Sequence, residues 1–435
     1  MATGVVLLTR DLRRRDSPAL AAAERDLDLM VPLFVFDPLL LAGGHSSANR
    51  LAFLLDSLAD LDRGLGGRLV TRTGDPVEEA LRVATEAGAT VIDLAADVSG
   101  YARRREERLR RAAAAAGIRV RVHPGVSVVE AGALRPASRD HFAVFTPYHR
   151  RWLAARWRSP ELFPARLQLA AGISSHPRPP RPANTSPNLP RGGETAGQER
   201  LEHWLAEGLA GYASVANDLA ADATSRLSPY LHFGCVSPLE TAGRAVAAGG
   251  PGAEAFVRQL CWRDFHLQVL AARPDLPTND YRPRADRWRD DPAAFDRWRQ
   301  GRTGVPLVDA AMRQLKSEGW IANRARLVAA SYLVKDLYLD WRLGAAHFQE
   351  WLVDGDLASN SGNWQWVAGT GNDTRPNRVL NPFRQALRFD PRGEYIRRHL
   401  PELGGADYPP PLVDHEEAVA RFRAARMAAA KVESR

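Results

Sequence analysis

The sequence predicts a two-part chain of α/β plus all-α class, with a Rossmann-like parallel sheet first and a helical domain after it. Three observations carry this expectation. Five short apolar runs alternate with amphipathic stretches over the first 125 residues. From about Glu199 the apolar residues recur at helical spacing, with no strand pattern of similar strength. The eleven tryptophans are skewed, with none before Trp152, as two differently built halves would give. The expected partition is residues 1–130 as the α/β domain, 131–198 as a connector and 199–435 as the helical domain.

The strands are read at VVLL (5–8), LMVPLFVF (29–36), RLVTR (68–72), TVIDL (90–94) and IRVRV (118–122). Near-continuous apolar runs of this length suit strands buried on both faces of a parallel sheet. NRLAFLLDSLADLDRGL and REERLRRAAAAAG fill gaps with helical patterns. Such a sheet can take a ligand at the carboxyl ends of its strands. No GxGxxG follows the first strand and no lysine follows a glycine, so a standard dinucleotide or nucleoside triphosphate site is not expected.

In the connector, FTPYHRRWLAARW has the pattern of a short helix. HPRPPRPANTSPNLPRGG is too rich in proline to continue one. The helical half then reads EHWLAEGLAGYASVAND, SPLETAGRAVAAG, AEAFVRQLCWRDFHLQVLAA, PLVDAAMRQLKSEG, ARLVAASYLVKDLYLDWRLGAAHFQEWLV and EEAVARFRAARMAAAKV. Ser237-Pro238 is an N-cap followed by a first-turn proline.

Composition narrows the function classes. A hydrophobic fraction of 45% and a charged fraction of 25% are ordinary for a globular protein. No apolar run reaches the length of a membrane span, and MATGVVLLTRDLRRRD reads as a first strand and not a signal peptide, so a cytoplasmic location is expected. Cys235 and Cys261 lie outside any CxxC and are read as reduced, packed thiols; no metal site is expected. The net charge of +8 hints at a polyanionic partner. Only Lys316, Lys335 and Lys431 among the 59 basic residues are lysine, a bias that GC-rich coding also produces.

The stretch from Trp341 to Trp366, WRLGAAHFQEWLVDGDLASNSGNWQW, is the densest in chemistry. Trp341, Phe348 and Trp351 sit at helical spacing, and after Gly355 a polar run leads to Trp364 and Trp366. A packed core with a polar turn fits this pattern. Asp354 and Asp356 do not, because a carboxylate among apolar side chains needs a partner or a ligand. TSRLS, Thr224 to Ser228, reads either as a self-capped turn or as a cradle in which hydroxyls, backbone N–H groups and Arg226 hold a pyrophosphate.

DGDLASNSGNWQWVAGTG resembles the flavin-binding segment of DNA photolyases and cryptochromes. TSRLSPYLHFG, QLCWRDF and GRTGVPLVDAAMRQLKSEGWIANRAR resemble three further blocks of that family in the same order. The likeness runs from about Gly211 to Leu403, and more weakly over residues 1–150. It implies an FAD-dependent, blue-light-driven lyase acting on UV-damaged DNA, closest to the class I enzymes that split cyclobutane pyrimidine dimers.

By this resemblance FAD is held by Tyr212, Thr224, Ser225, Arg226, Leu227, Ser228, Gln259, Arg263, Asn323, Arg326, Asp354, Gly355, Asp356 and Asn360. Arg326 and Asp354 would pair beside the isoalloxazine ring, with Asn360 next to its N5. Trp364, Trp341 and Trp288 match an electron-transfer chain running outward from the flavin. Gln259 and Asn323 would touch the lesion; Trp262, Arg263, Arg324 and Trp366 would meet DNA.

The chain also departs from the family. Gln259 stands where many members have Glu, Ile321-Ala322 where they have Met-His, and Leu327 where Met is common. No histidine pair is present there, which argues against (6-4) repair. The folate-type antenna signature, Asn-Glu, is replaced by Gly100-Tyr101, which implies 8-hydroxy-5-deazaflavin lined by Val35, Arg50, Asp97, Arg105 and His232, although His232 replaces a lysine of that type. A monomer is expected. The rival reading is a light sensor without repair activity, which the lack of a long C-terminal extension after Arg435 and the presence of Trp262, Trp366 and Asn323 disfavour.

Overall fold

In the computed structural model the described residues are 1–42, 47–161, 168–372 and 374–433, with side chains described up to residue 429. Five strands form one parallel sheet: β1 Thr3–Leu8, β2 Leu29–Phe36, β3 Val70–Thr73, β4 Val91–Ala95 and β5 Arg119–His123. Their spatial order is β3-β2-β1-β4-β5. Val5 pairs with Val31 on one side and Ile92 on the other, so β1 is central and wholly buried. All five expected strands are present, shifted by a residue or two. The chain builds outward from β1 twice, so β1 and β4 flank a topological switch point, where open α/β sheets place ligands.

The helices follow the expected patterns with two differences. The polar run after Gly355 is helical: Leu357–Ala368 is one helix, with Asp356 as N-cap accepting from Ser359 N at 2.9 Å. Asn, Ser and Gly are weak helix formers, but the cap and the buried face of Ala358, Ser361, Gly362 and Trp364 override that. The long segment from Ala325 to Val353 is not one helix. It breaks between Ser331 and Trp341 through a π-helical turn at Tyr332–Asp336, and Tyr338 takes the left-handed region at φ 54°. Asp340 then caps the next helix through Arg342 N.

The chain divides into two compact units. The first comprises residues 1–184, 190–210 and 225–274; the second comprises 185–189, 211–224 and 275–435. The first therefore includes the sheet together with the helix Gly250–Ala272, which sequence periodicity groups with the helical half. The core of the second is built on Trp298, Tyr332, Trp341, Phe348, Trp364 and Tyr395. No described helix is long and apolar enough to cross a membrane.

Candidate functional site

In the second unit, Asp354, Gly355 and Asp356 link the helices Trp341–Trp351 and Leu357–Ala368. Asp354 is not in a helix. Its carboxylate, 4% exposed, accepts from Arg326 Nη2 at 2.7 Å. Arg326 also donates through Nε to the Ile321 carbonyl at 2.8 Å, which fixes the plane of its guanidinium. Asn360 Nδ2 donates to the Ala345 carbonyl at 2.9 Å and lies 3.4 Å from Gln349 Oε1. Gln349 in turn donates to the Gly355 carbonyl at 2.8 Å. Gln349, which sequence reasoning passed over, thus holds both the Asp-Gly-Asp turn and the asparagine. Its only sequence signal is its place one turn after Ala345 on the same helix face.

The three tryptophans expected to relay electrons fall in this unit. Trp341 and Trp364 are buried, and Trp288 is half-buried against the same core. Trp364 meets Phe348 edge-on at 5.0 Å and Trp298 at 6.1 Å between centroids. A Cβ added to Gly344 would lie 2.1 Å from the Trp364 ring, so only glycine lets this indole reach the helix that carries Trp341. Trp341 donates its indole N–H to Asp280 at 2.9 Å. Gln365, between Trp364 and Trp366, is fully buried and bonds Leu276 O, Asn279 O and Tyr281 N, pinning residues 276–281.

Asn323 is exposed at the start of the helix Asn323–Ser331. Arg324 donates to Asn217 and Gln385 and lies over Phe389 at 4.4 Å. Burial lowers its pKa, and the neighbouring cations Arg388 and Arg378 lower it further. Arg378 lies 5.7 Å over the Trp366 ring and Arg388 5.1 Å over Phe389. Like charges gathered on aromatic faces suit a polyanion, and the stacked bases beside it. Tyr212 is half-buried in the same unit, and the buried Thr224 hydroxyl has no hydrogen-bond partner among the described residues. That orphaned hydroxyl and the Arg326–Asp354 pair are the features that fit a bound dinucleotide.

In the first unit, Ser225 Oγ accepts from Leu227 N and its carbonyl accepts from Arg200 Nε at 2.8 Å. Arg226 is left-handed at φ 50°, an outlier for a residue with a side chain. The helix Ser228–Phe233 follows and ends at Gly234, where an added Cβ would lie 2.0 Å from the Arg10 carbonyl. Gln259 is exposed. Trp262 lies flat on Phe145, 3.7 Å between centroids and 2° between planes, so one indole face is already covered. Arg263 donates to the carbonyls of Val126 and Leu231, at 2.6 and 3.2 Å. Its neighbour Asp264 was overlooked in the sequence. Fully buried, Asp264 accepts from Val128 N, Val129 N and Trp152 Nε1, and burial raises its pKa to about 6.

Of the residues expected for an antenna, Asp97 lies just past β4, and both it and His232 meet Arg10, just past β1. Arg10 reaches Asp97 at 3.5 Å and the His232 carbonyl at 3.2 Å. Tyr101 donates to Asp37, just past β2, and Arg105 lies 5.7 Å over the Tyr101 ring. Arg105 Nε is buried without a hydrogen-bond partner among the described residues. Val35 belongs to β2, and Arg50 lies in the first turn of the helix Ala48–Gly64, capped by Ser47. Arg10 and Asp37 have no part in the sequence reading, and Tyr101 enters it only through Gly100-Tyr101.

Two family profiles match the chain: DNA photolyase over residues 4–167 and the FAD binding domain of DNA photolyase over residues 256–406. A deoxyribodipyrimidine photo-lyase of Streptomyces griseus is 53% identical, covering 98% of this chain and 99% of its own. The chain belongs to the DNA photolyase family. A Halobacterium salinarum photolyase is 34% identical over 96% of this chain and 98% of its own. A class III photolyase from Agrobacterium tumefaciens superposes with a TM-score of 0.93 at 31% identity, covering 99% of this chain and 98% of its own. A Synechocystis cryptochrome superposes at 0.90 with 29% identity, covering 98% and 99%. The sheet-plus-helical architecture is that of the photolyase family throughout.

Proposed function

We infer that the chain is a deoxyribodipyrimidine photolyase that splits cyclobutane pyrimidine dimers in UV-damaged DNA under blue light. The observation that carries this reading is the 53% identity with the Streptomyces griseus photo-lyase over nearly the whole of both chains. The Arg326–Asp354 pair supports it from the side of the residues. Bound in its reduced form, FAD supplies the electron that opens the dimer and takes it back afterwards.

The protein's part is position and electrostatics. Thr224, Ser225, Arg226 and Ser228 are assigned to the FAD phosphates, with Tyr212, Leu227, Gln259, Arg263, Asn323 and Gly355 around the cofactor. Arg326, held by Asp354, presents a fixed cation to the ring system, and Asp356 and Asn360 complete that side. An arginine aligned in advance costs no reorganisation when charge moves. Gln259 and Asn323 are assigned to the flipped lesion, Trp262 and Trp366 to its flanks, and Arg324 to phosphates. Trp364, Trp341 and Trp288 relay electrons inward when oxidised flavin is photoreduced. Gln259 can donate a hydrogen bond to a lesion carbonyl but cannot supply a proton.

We assign the antenna to the switch point of the sheet, with 8-hydroxy-5-deazaflavin as its chromophore. Val35, Arg50, Asp97, Arg105 and His232 are its lining, and Arg105, with a buried Nε lacking a partner, is the group that asks for a ligand there. We place the enzyme in the cytoplasm as a monomer. Light-dependent repair of an oligonucleotide carrying one thymine dimer, by protein with reduced FAD, tests the main reading. Repair in light and none in darkness supports it; no repair in light makes the chain a sensor, as the cryptochrome likeness would allow.

A further inference from the structure

We propose that Asp280 gives the relay its direction: its carboxylate, hydrogen-bonded to the indole N–H of Trp341, makes that tryptophan a better one-electron donor than Trp364 and so draws the hole outward. This rests on the reading of Trp364, Trp341 and Trp288 as an electron-transfer chain and adds a residue that is not one of its rings.

A row of identical indoles has no preferred direction. A hole on Trp364 would fall back inward as readily as it moved on, unless the surroundings of the rings differ. They do differ. Trp364 meets Phe348 edge-on at 5.0 Å and Trp298 at 6.1 Å between centroids, and it lies against the backbone of Gly344. Trp341 is as deeply buried, but its Nε1 donates to Asp280 Oδ1 at 2.9 Å. An indole that loses an electron becomes a cation with a far more acidic N–H. Its bond to the carboxylate then joins opposite charges, the strong class of hydrogen bond. Away from water such a charge pair counts for several times what it does in solution. The Asp280 side chain is only 17% exposed, so little solvent screens it.

Arg342 is the counter-charge. Its guanidinium lies 4.8 Å over the Trp341 ring and alone would oppose a positive charge there. It is shared between two carboxylates. Nη2 donates to the same Asp280 Oδ1 at 2.9 Å, and Nη1 donates to Asp340 Oδ1 at 3.1 Å. Two carboxylates against one guanidinium leave a negative balance among these three side chains, and the carboxylate on the N–H is the one in direct contact with the indole. Because Oδ1 already accepts from Arg342, moving the indole proton onto it would break that ion pair. The electron therefore leaves and the proton stays.

The carboxylate is also fixed in advance. Arg342 Nε donates to the Thr278 carbonyl at 2.6 Å. Gln365 donates to the carbonyls of Leu276 and Asn279 and accepts from Tyr281 N, on either side of Asp280. Gln365 adjoins Trp364, so the segment that carries the charge is tied to the helix of the inner ring. A charge held in place before the electron moves costs no reorganisation when it does.

The step balances as one electron and no proton. Trp341 gives an electron to the Trp364 radical cation, which returns to the neutral indole, and Trp341 carries the hole until Trp288 refills it. The hole arises when light-driven reduction of oxidised flavin takes an electron from Trp364.

Flash photolysis of the flavin-loaded protein tests this, in a Trp288→Phe background that stops the hole at Trp341. The lifetime of the charge-separated state then reports how the hole divides between Trp341 and the inner Trp364. Asp280→Asn keeps the size and the acceptor and removes the charge; it should shorten that lifetime roughly tenfold. Arg342→Gln breaks the same ion pair from its other end and should lengthen the lifetime. Opposite signs identify the effect as charge, whereas a pair that merely held the segment in place would act with one sign in both variants. A shortened lifetime in both, or none in Asp280→Asn, would overturn the proposal and leave the tryptophan chain standing. Trp341→Phe separates the two failures: a hole that lives as long without Trp341 means that the chain itself is misassigned.

Discussion

Arg326 and Asp354 lie 28 residues apart in sequence and 2.7 Å apart in space, and the carboxylate is almost wholly buried while the guanidinium keeps 24% of its side chain exposed. One end of the pair is thus committed to the protein and the other remains available to a ligand. Asp354→Asn should weaken FAD retention by about 1–3 kcal/mol, the loss of one charge-assisted hydrogen bond that is not fully desolvated. Flavin released on dilution, read from its fluorescence, measures this. Full retention would remove Asp354 from the cofactor's surroundings.

Trp364→Phe should block photoreduction of oxidised flavin and leave dimer repair intact once the flavin has been reduced chemically, since repair does not draw on the relay. Flavin absorption under illumination and repair of a dimer oligonucleotide separate the two. Undiminished photoreduction would reassign Trp364 to packing alone, which its contacts with Phe348 and Trp298 would otherwise explain.

Gln259→Ala should cost about 1–3 kcal/mol in repair efficiency, because a lesion carbonyl loses its donor in a site shielded from water. Gln259→Glu should stay active and acquire a pH dependence that the wild type lacks. Equal rates for wild type and Gln259→Ala at saturating light would mean that this exposed side chain does not reach the lesion.

Arg378 and Arg388 should bind DNA chiefly through charge. The logarithm of the affinity for dimer-containing duplex should fall linearly with that of salt concentration, and Arg378→Gln should reduce the slope by roughly one phosphate's worth, about 0.9. A slope unaltered by the substitution would take Arg378 off the DNA.

Asp264 should leave a mark on stability against pH. Burial raises its carboxyl to about 6, above the ordinary 3.8. Between those values the folded state binds the proton that the unfolded state has lost, so this group's contribution falls as pH rises through the window and is flat outside it. Asp264→Asn removes the titration. The stability difference, wild type minus variant, should therefore decrease from about pH 4 to about pH 6. A difference that does not change with pH would show that Asp264 keeps an ordinary pKa.

Much of the fold was legible because its signals are local. Buried parallel strands such as TGVVLL carry their burial in composition, and Ser237-Pro238 marks a helix start in two residues. The helix Leu357–Ala368 was read as a polar turn because Asn360, Ser361, Gly362 and Asn363 are weak helix formers taken singly; the packing that sustains them comes from elsewhere in the chain. For the same reason Gln349, Gln365 and Asp264 escaped notice. Each is an ordinary polar residue in sequence, and each acquires its role from partners that only folding brings close. Trp262 shows the converse: its type was telling, but nothing local announced that Phe145 covers one of its faces.

The two compact units are interleaved along the chain, since residues 185–189 and 211–224 belong with 275–435 while 190–210 and 225–274 belong with the sheet. During synthesis the first unit therefore cannot close until Pro274 has left the ribosome. Two earlier segments of the second must wait, exposed, for the residues that will receive them. No single cut separates the units: a chain ending at Pro274 keeps every residue of the first but also carries 185–189 and 211–224 of the second. An engineer seeking the sheet-bearing unit alone would have to rewire the chain around 185–189 and 211–224.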